Sequence, residues 1–307
     1  MQIRKLSAGQ GLVWFKQAID LGAKNPRAVF GAALLLILAL YAAALLLALG
    51  LSAVVGLSGT GGAPDLGKAL AVGLALSVLV VVLVPILLGG LMHVVREAEA
   101  GRPVRARDVF APLRDARGRS LGLLGLLQIA LAMLGGALVV AIAGNDYWRE
   151  YVQAMQGAMQ GQIGAMPQPK NAGLLFLVQL VFNYFSYALM LFSIPLMLFS
   201  GSNLLDAIRN SLRASVRNVG ANLLAGVLFV GALLLATLVT VLVAGLAGIV
   251  GGAVHPALGV ALTTLLMLGF AAVVLVLVVG GAYLAWRDTF GDGAPPSQQA
   301  VQHGIEV

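Results

Sequence analysis

The chain has 307 residues, 60% of them hydrophobic and only 10% charged, with a formal net charge of +7. A soluble domain carries about 25% charged residues, so a mean hydropathy of +0.97 places this chain among polytopic membrane proteins. Cysteine is absent, which removes disulfides, thiolate metal sites and cysteine catalysis. The positive charge is distributed as membrane topology requires, so no nucleic-acid partner is expected.

Residues 1–26 read as a cytoplasmic amphipathic leader. Ser7 with Gln10 fits a capping box, in which side chains satisfy free backbone N–H groups at a helix start. Leu12, Phe15, Ile19 and Gly22 then share one face, with Lys16 and Asp20 elsewhere. This predicts a surface-lying helix with Trp14 at the headgroups. Asn25-Pro26 is a start signal, with Asn as N-cap and Pro where no N–H partner is needed. The first apolar run begins near Ala28 and is too long for a signal-peptide core of about 7–15 residues, so it is expected to stay as a membrane anchor.

Six spans follow, roughly at 28–51, 69–92, 120–143, 173–200, 219–250 and 259–286. Each is about as long as a bilayer requires. Pro85 and Pro195 fall in the last thirds of spans 2 and 4, where loss of a helical hydrogen bond predicts a kink. Residues 52–68 are a Gly-rich loop. Residues 93–119 are a basic segment whose Val109, Phe110 and Leu113 give it an apolar side. Residues 144–172 form the longest loop, opening on Tyr147, Trp148 and Tyr151, which suit a headgroup belt. Residues 251–258 are a tight loop, and 288–307 read as a disordered cytoplasmic tail with too little apolar surface to fold alone. The six-span domain is therefore 27–287.

Five Lys or Arg lie in the leader through Arg27, seven in 93–119, three in 201–218, and Arg287 follows the last span. The opposite loops hold only Lys68, Arg149 and Lys170. Cytoplasmic loops attract Lys and Arg, so six spans with both termini in the cytoplasm are expected.

Three windows of equal length lead into spans 1, 3 and 5: 14–25, 109–120 and 207–218. Each opens on two apolar residues and closes on a basic residue followed by Asn or Ser. Val84-Pro85-Ile86-Leu87-Leu88 matches Ile194-Pro195-Leu196-Met197-Leu198, and the run from Gly89-Gly90 to Arg96 matches that from Gly280-Gly281 to Arg287. The pattern predicts an all-α fold of six spans as three repeated hairpins, each introduced by an amphipathic interfacial helix.

The start MQIRKLSAGQGLVWFKQAIDLGAKNP, the segments PILLGG and REAEAGRPVRARDVF, and SNLLDAIRNSLRASVRNVGANL resemble an uncharacterised family of proteobacterial six-span inner-membrane proteins. That family is distantly similar to the membrane domain attached to some glycerophosphodiester phosphodiesterases. The resemblance implies topology and a place in a bacterial inner membrane, and brings no activity or functional residues with it.

Four groups of residues carry candidate chemistry. Arg209, Arg213 and Arg217, four apart, lie near one helix face, and Leu205, Ile208, Leu212 and Val219 form the apolar one. Asn203 with Asp206 suits the cap of that helix. The row reads as docking to anionic headgroups, at about 1 kcal/mol per basic residue, or as topology-setting charge on a solvated face. Arg105 and Arg114 join it as headgroup or partner contacts. Gln179, Asn183 and Tyr187 form a polar stripe on span 4, reading either as a polar cavity or as inter-helix hydrogen bonding with Gln128, Thr237, Thr240, Thr263 or Thr264. Met155, Met159 and Met166 carry thioethers that suit Cu(I), yet no His or Cys accompanies them and packing is the plainer reading. His93, His255 and His303 share no ligand spacing, and HExxH, GxSxG and Walker-type loops are absent. No metal or cofactor is expected.

No Asp, Glu, Lys or Arg falls inside the expected spans, which disfavours proton-coupled transport and intramembrane proteolysis. An ionisable cluster for a membrane enzyme has only Arg105, Asp108 and Arg114 to draw on. Gly245, Gly248 and Gly252 include a GxxxG pair suited to close helix packing. The expected protein is non-enzymatic and organises membrane lipid, anionic in character, or a protein partner or second copy through a basic cytoplasmic face. The alternative is a transporter or channel with a polar path along span 4.

Overall fold

The computed structural model describes residues 2–57, 66–159 and 167–291. Among these residues the chain is all-helical. Helix α1 (Gln10–Lys24) is followed by α2 (Pro26–Leu57) and α3 (Leu66–Glu99). A 3-10 turn (Ala106–Phe110) and two short helices, α4 (Ala111–Arg114) and α5 (Ala116–Ser120), lead into α6 (Gly122–Ala143). Then come α7 (Asn145–Met159), α8 (Ala172–Phe199), α9 (Leu204–Arg217), α10 (Val219–Val254) and α11 (Pro256–Phe290). Six stretches are long and apolar enough to cross a membrane: Pro26–Ala53, Gly73–Glu99, Ala116–Ala143, Ala172–Phe199, Val219–Val254 and Pro256–Phe290. The chain is a multi-pass membrane protein on that ground.

Local chemistry explains several boundaries. Asn25 Oδ1 accepts from the Ala28 amide at 3.2 Å, and Pro26 opens α2, as an Asn-Pro start requires. Asn203 Oδ1 accepts from the Asp206 amide at 2.9 Å while its Nδ2 donates to Asp206 Oδ2 at 2.8 Å. The α8–α9 turn passes through Gly201 at φ +65°, the left-handed region where a Cβ is penalised. Both Pro85 and Pro195 stand inside continuous helices.

Other boundaries differ from expectation. Ser7 and Gln10 form no capping box: α1 has no side-chain cap, because the Gln10 side chain is drawn to α11 instead. The leader packs on the protein through a set of residues that the apolar face Leu12, Phe15, Ile19 and Gly22 only partly shares. Gln10, Gly11, Trp14, Ala18, Leu21 and Gly22 are buried, whereas Leu12 and Ile19 are exposed. Trp14 is 1% exposed, so it is a core residue and not a headgroup anchor. Helix α3 runs through to Glu99 and α11 to Phe290, so ionisable residues lie within the span helices, and Asp288 to Phe290 belong to α11 and not to a tail. The stretch after span 3 contains helix α7, with Tyr151 stacked on both Tyr147 and Trp148. The middle leader window, by contrast, is broken into the 3-10 turn, α4 and α5.

The packed core sits at one end of the bundle. It gathers Val29 to Leu36 of α2, Ile86 to Ala98 of α3, Phe192 to Met197 of α8 and Ala272 to Phe290 of α11, closed by Trp14, Ala18 and Leu21 of α1. Helix α1 lies across α10 and α11. A Cβ on Gly11 would come within 2.4 Å of the Ala221 carbonyl, and one on Gly90 within 1.8 Å of the Val109 carbonyl, so both contacts need glycine. At the other end Leu45, Leu49, Leu242, Leu246, Val254 and Val260 are exposed. An apolar surface of that extent belongs against hydrocarbon.

Candidate functional site

The end holding the core also holds the buried polar groups, Gln10, Ser193, Ser211, Asn218 and Asp288 among them. Asp288 is 2% exposed. Its Oδ2 accepts from Gln10 Nε2 at 2.8 Å and from Trp14 Nε1 at 2.9 Å, and its Oδ1 accepts from Arg287 Nε at 3.0 Å. Three donors offset the desolvation of a carboxylate that would otherwise be prohibitive. Arg287 reaches on to Glu99 of α3 through one terminal nitrogen and to Gln17 Oε1 at 3.2 Å through the other. Glu99 in turn accepts from the Tyr283 hydroxyl at 2.6 Å. The network thus ties α1, α3 and α11 together through charge-assisted bonds.

The N-terminal residues are clamped beside it. Arg4 N donates to the Thr289 carbonyl at 3.0 Å. Asn218, buried between α9 and α10, accepts from Leu6 N at 2.8 Å and donates to the Arg4 carbonyl at 2.9 Å. A cavity of about 660 Å³ opens next to this clamp, lined by Gln2, Arg4, Arg96, Ser200, Trp286 and Arg287 among others. Its floor is aromatic: Phe199 lies 5.1 Å from Trp286 and 6.4 Å from Tyr283 between ring centroids. The Arg96 guanidinium stands 4.6 Å over the Phe199 ring.

Helix α9 carries its side chains in three sectors. Ala207, Ser211, Ala214 and Ser215 are buried against the protein, with Ser211 Oγ 3.0 Å from Ser193 Oγ of α8. Leu205 (77% exposed) and Val216 lie on an outward apolar sector, with Ile208 and Leu212 half-buried at its edge. Arg209, Arg213 and Arg217 are exposed on the remaining sector. Arg105 and Arg114 are exposed as well, and Asp108 Oδ2 accepts from the Arg105 amide at 2.7 Å. Arg105, Asp108 and Arg114 are outside the buried ionisable network, which Glu99, Arg287 and Asp288 form instead. Arg102 is bound to Glu97, which holds its guanidinium proton more firmly than usual.

The stripe on α8 is divided. Gln179 Nε2 points to the Gly135 carbonyl of α6 at 3.5 Å. Asn183 is exposed. Tyr187 is 68% exposed and lines an apolar groove of about 290 Å³ between α8, α10 and α11. Gln179 and Asn183 do not line that groove. One residue along from Asn183, Tyr184 is half-buried, and its hydroxyl donates to the Ser215 carbonyl at 2.8 Å and lies 3.4 Å from Asn222 Nδ2. Gln128 is exposed, and Thr263 bonds the Ala244 carbonyl at 3.2 Å. Gly248 and Gly252 approach Gly259 closely, while Gly245 faces open space. Met155 is exposed. Met166 and His303 lie outside the described residues, as does the side chain of Met159.

The sequence holds one signal for the buried network. Gly89-Gly90 to Arg96 and Gly280-Gly281 to Arg287 are the doubled motif, and both arginines arrive on the wall of the same cavity. Comparison with family models, with curated proteins and with solved structures yields no match.

Proposed function

We propose that this chain is a non-enzymatic inner-membrane protein that organises anionic lipid, or a protein partner, through the basic end of its bundle, with both termini in the cytoplasm. The observation that carries the reading is helix α9. It keeps a small-residue face on the protein, leaves Leu205 and Val216 exposed, and leaves Arg209, Arg213 and Arg217 exposed on a third sector. Among the described residues none of the three arginines has a carboxylate partner. A helix of this kind lies in the interface, apolar sector toward acyl chains and cations toward phosphates. Arg105 and Arg114 extend the basic surface.

In this reading α1 and α9 are equivalent leaders of a threefold repeat. The middle leader, broken into α4 and α5, is its divergent copy. Kinship with the six-span family rests on the leader, the 85–110 region and the 202–223 region.

The test is lipid co-purification with the Arg209→Gln, Arg213→Gln and Arg217→Gln variant. Wild-type protein reconstituted in mixed bilayers should retain phosphatidylglycerol over phosphatidylcholine, and the variant should lose that preference while melting at the wild-type temperature. Equal retention of both lipids by wild type and variant would remove the lipid part of the proposal.

A further inference from the structure

The cavity beside the N-terminal clamp is a second, separate place where an anion fits. Its walls hold three arginines, Arg4, Arg96 and Arg287, and among the described residues no carboxylate lines it. The acids around it are committed elsewhere, Glu97 to Arg102. Asp288 is saturated by Gln10, Trp14 and Arg287, and Glu99 by Tyr283 and Arg287.

Arg96 is the informative residue. It is half-buried, its guanidinium stands over the Phe199 ring at 4.6 Å, and it has no carboxylate partner among the described residues. Burying a guanidinium without a counter-charge is costly, and stacking on one ring offsets only part of it. Trp286 also lines the cavity, and its buried Nε1 has no acceptor among the described residues. Ser200 and Gln2 add neutral donors.

The two arginines on this wall come from equivalent places in the doubled Gly-Gly motif, one on α3 and one on α11. The cavity sits at the ends of span helices, the depth at which a bilayer carries its phosphates. Planar guanidinium forks match phosphate oxygens two at a time.

We propose that this cavity is a phosphate-recognition site, in which Arg96, with Ser200 and Gln2 as neutral donors, binds the oxyanion of a phosphate ester. The phosphate belongs either to an anionic lipid headgroup or to a soluble phosphate ester. The proposal does not depend on helix α9.

Arginine-selective labelling with phenylglyoxal, read by peptide mass spectrometry on the full chain in nanodiscs, tests it. One arm adds glycerol phosphate to phosphatidylcholine discs against chloride at equal ionic strength. The other replaces phosphatidylcholine with phosphatidylglycerol. Arg96 labelling should slow about tenfold relative to Arg149, which is exposed on the opposite loop, in at least one arm, the size expected for a charge-assisted contact. Protection by glycerol phosphate identifies a soluble ester, and protection only by phosphatidylglycerol identifies a headgroup. Equal labelling of Arg96 in all arms overturns the site. Arg96→Gln should weaken binding of the protecting ligand about tenfold in native mass spectrometry, and Arg149→Gln, on the opposite loop and paired with Asp146, should not. Unchanged binding by folded Arg96→Gln also overturns it, and if that variant does not fold the wild-type labelling alone decides.

Discussion

The indole Nε1 of Trp14 donates to Oδ2 of Asp288 across 2.9 Å, joining the first helix of the chain to the last turn of the last one. Both residues are buried, and the same oxygen takes Gln10 as well. Removing the acceptor strands two buried donors and leaves Arg287 with one partner fewer. Asp288→Ala should therefore destabilise the fold by about 3–5 kcal/mol, and Trp14→Phe by about 1.5–3 kcal/mol. Thermal melting of purified protein in detergent checks both. Wild-type melting of Asp288→Ala would mean that the network does not hold α1 to α11.

Gly90 packs against the backbone of the 3-10 turn, and the carbonyl of Val109 occupies the place a side chain would take. Backbone yields less readily than a side-chain tip. Gly90→Ala should push the turn off α3 and cost about 1–3 kcal/mol, while Gly136→Ala, where nothing stands within 4 Å, should be near neutral. Melting both variants side by side checks the contrast, and equal melting temperatures would contradict the contact.

The arginine row on α9 should act additively. Each of Arg209, Arg213 and Arg217 is exposed, so each substitution by Gln should remove about 1 kcal/mol of attraction to an anionic surface. Binding of phosphatidylglycerol, titrated through single, double and triple variants, should fall stepwise, and the differences should shrink in high salt. A single variant that abolishes binding would point to a specific pocket instead of a charged surface.

Asn218 holds the extended N-terminal residues by accepting from Leu6 N and donating to the Arg4 carbonyl. Asn218→Ala leaves a buried N–H and a carbonyl unmet and should cost about 1–3 kcal/mol. Faster proteolysis after Arg4 or Lys5, at unchanged helix content, is the measurement, and an unchanged cleavage rate would show that the clamp is redundant.

The spans were legible because apolar runs near twenty residues have few other readings, and the Asn25-Pro26 and Asn203/Asp206 starts because capping is local chemistry. What stayed hidden depends on partners far away in sequence. Gln10 looks like half of a capping box until Asp288 competes for it. Trp14 looks like a headgroup anchor until α11 covers it. Asp288 looks like the start of a polar tail because nothing nearby shows that α1 supplies its donors. On α8 the four-residue stripe selects Gln179, Asn183 and Tyr187, but packing turns Tyr184 inward, and helix rotation is set by neighbours rather than by period. The doubled Gly-Gly to arginine motif was visible, yet its meaning required seeing Arg96 and Arg287 on one wall.

The central claim is that six helices cross the bilayer with the arginine-bearing end left on the cytoplasmic side. The chain has no cysteine, so single cysteines at Glu150 and Arg213 report their own sides. With a membrane-impermeant maleimide, Glu150→Cys should label in cells whose inner membrane is intact, and Arg213→Cys only after that membrane is permeabilised. Labelling of Arg213→Cys while the inner membrane is intact, or protection of Glu150→Cys, would contradict it.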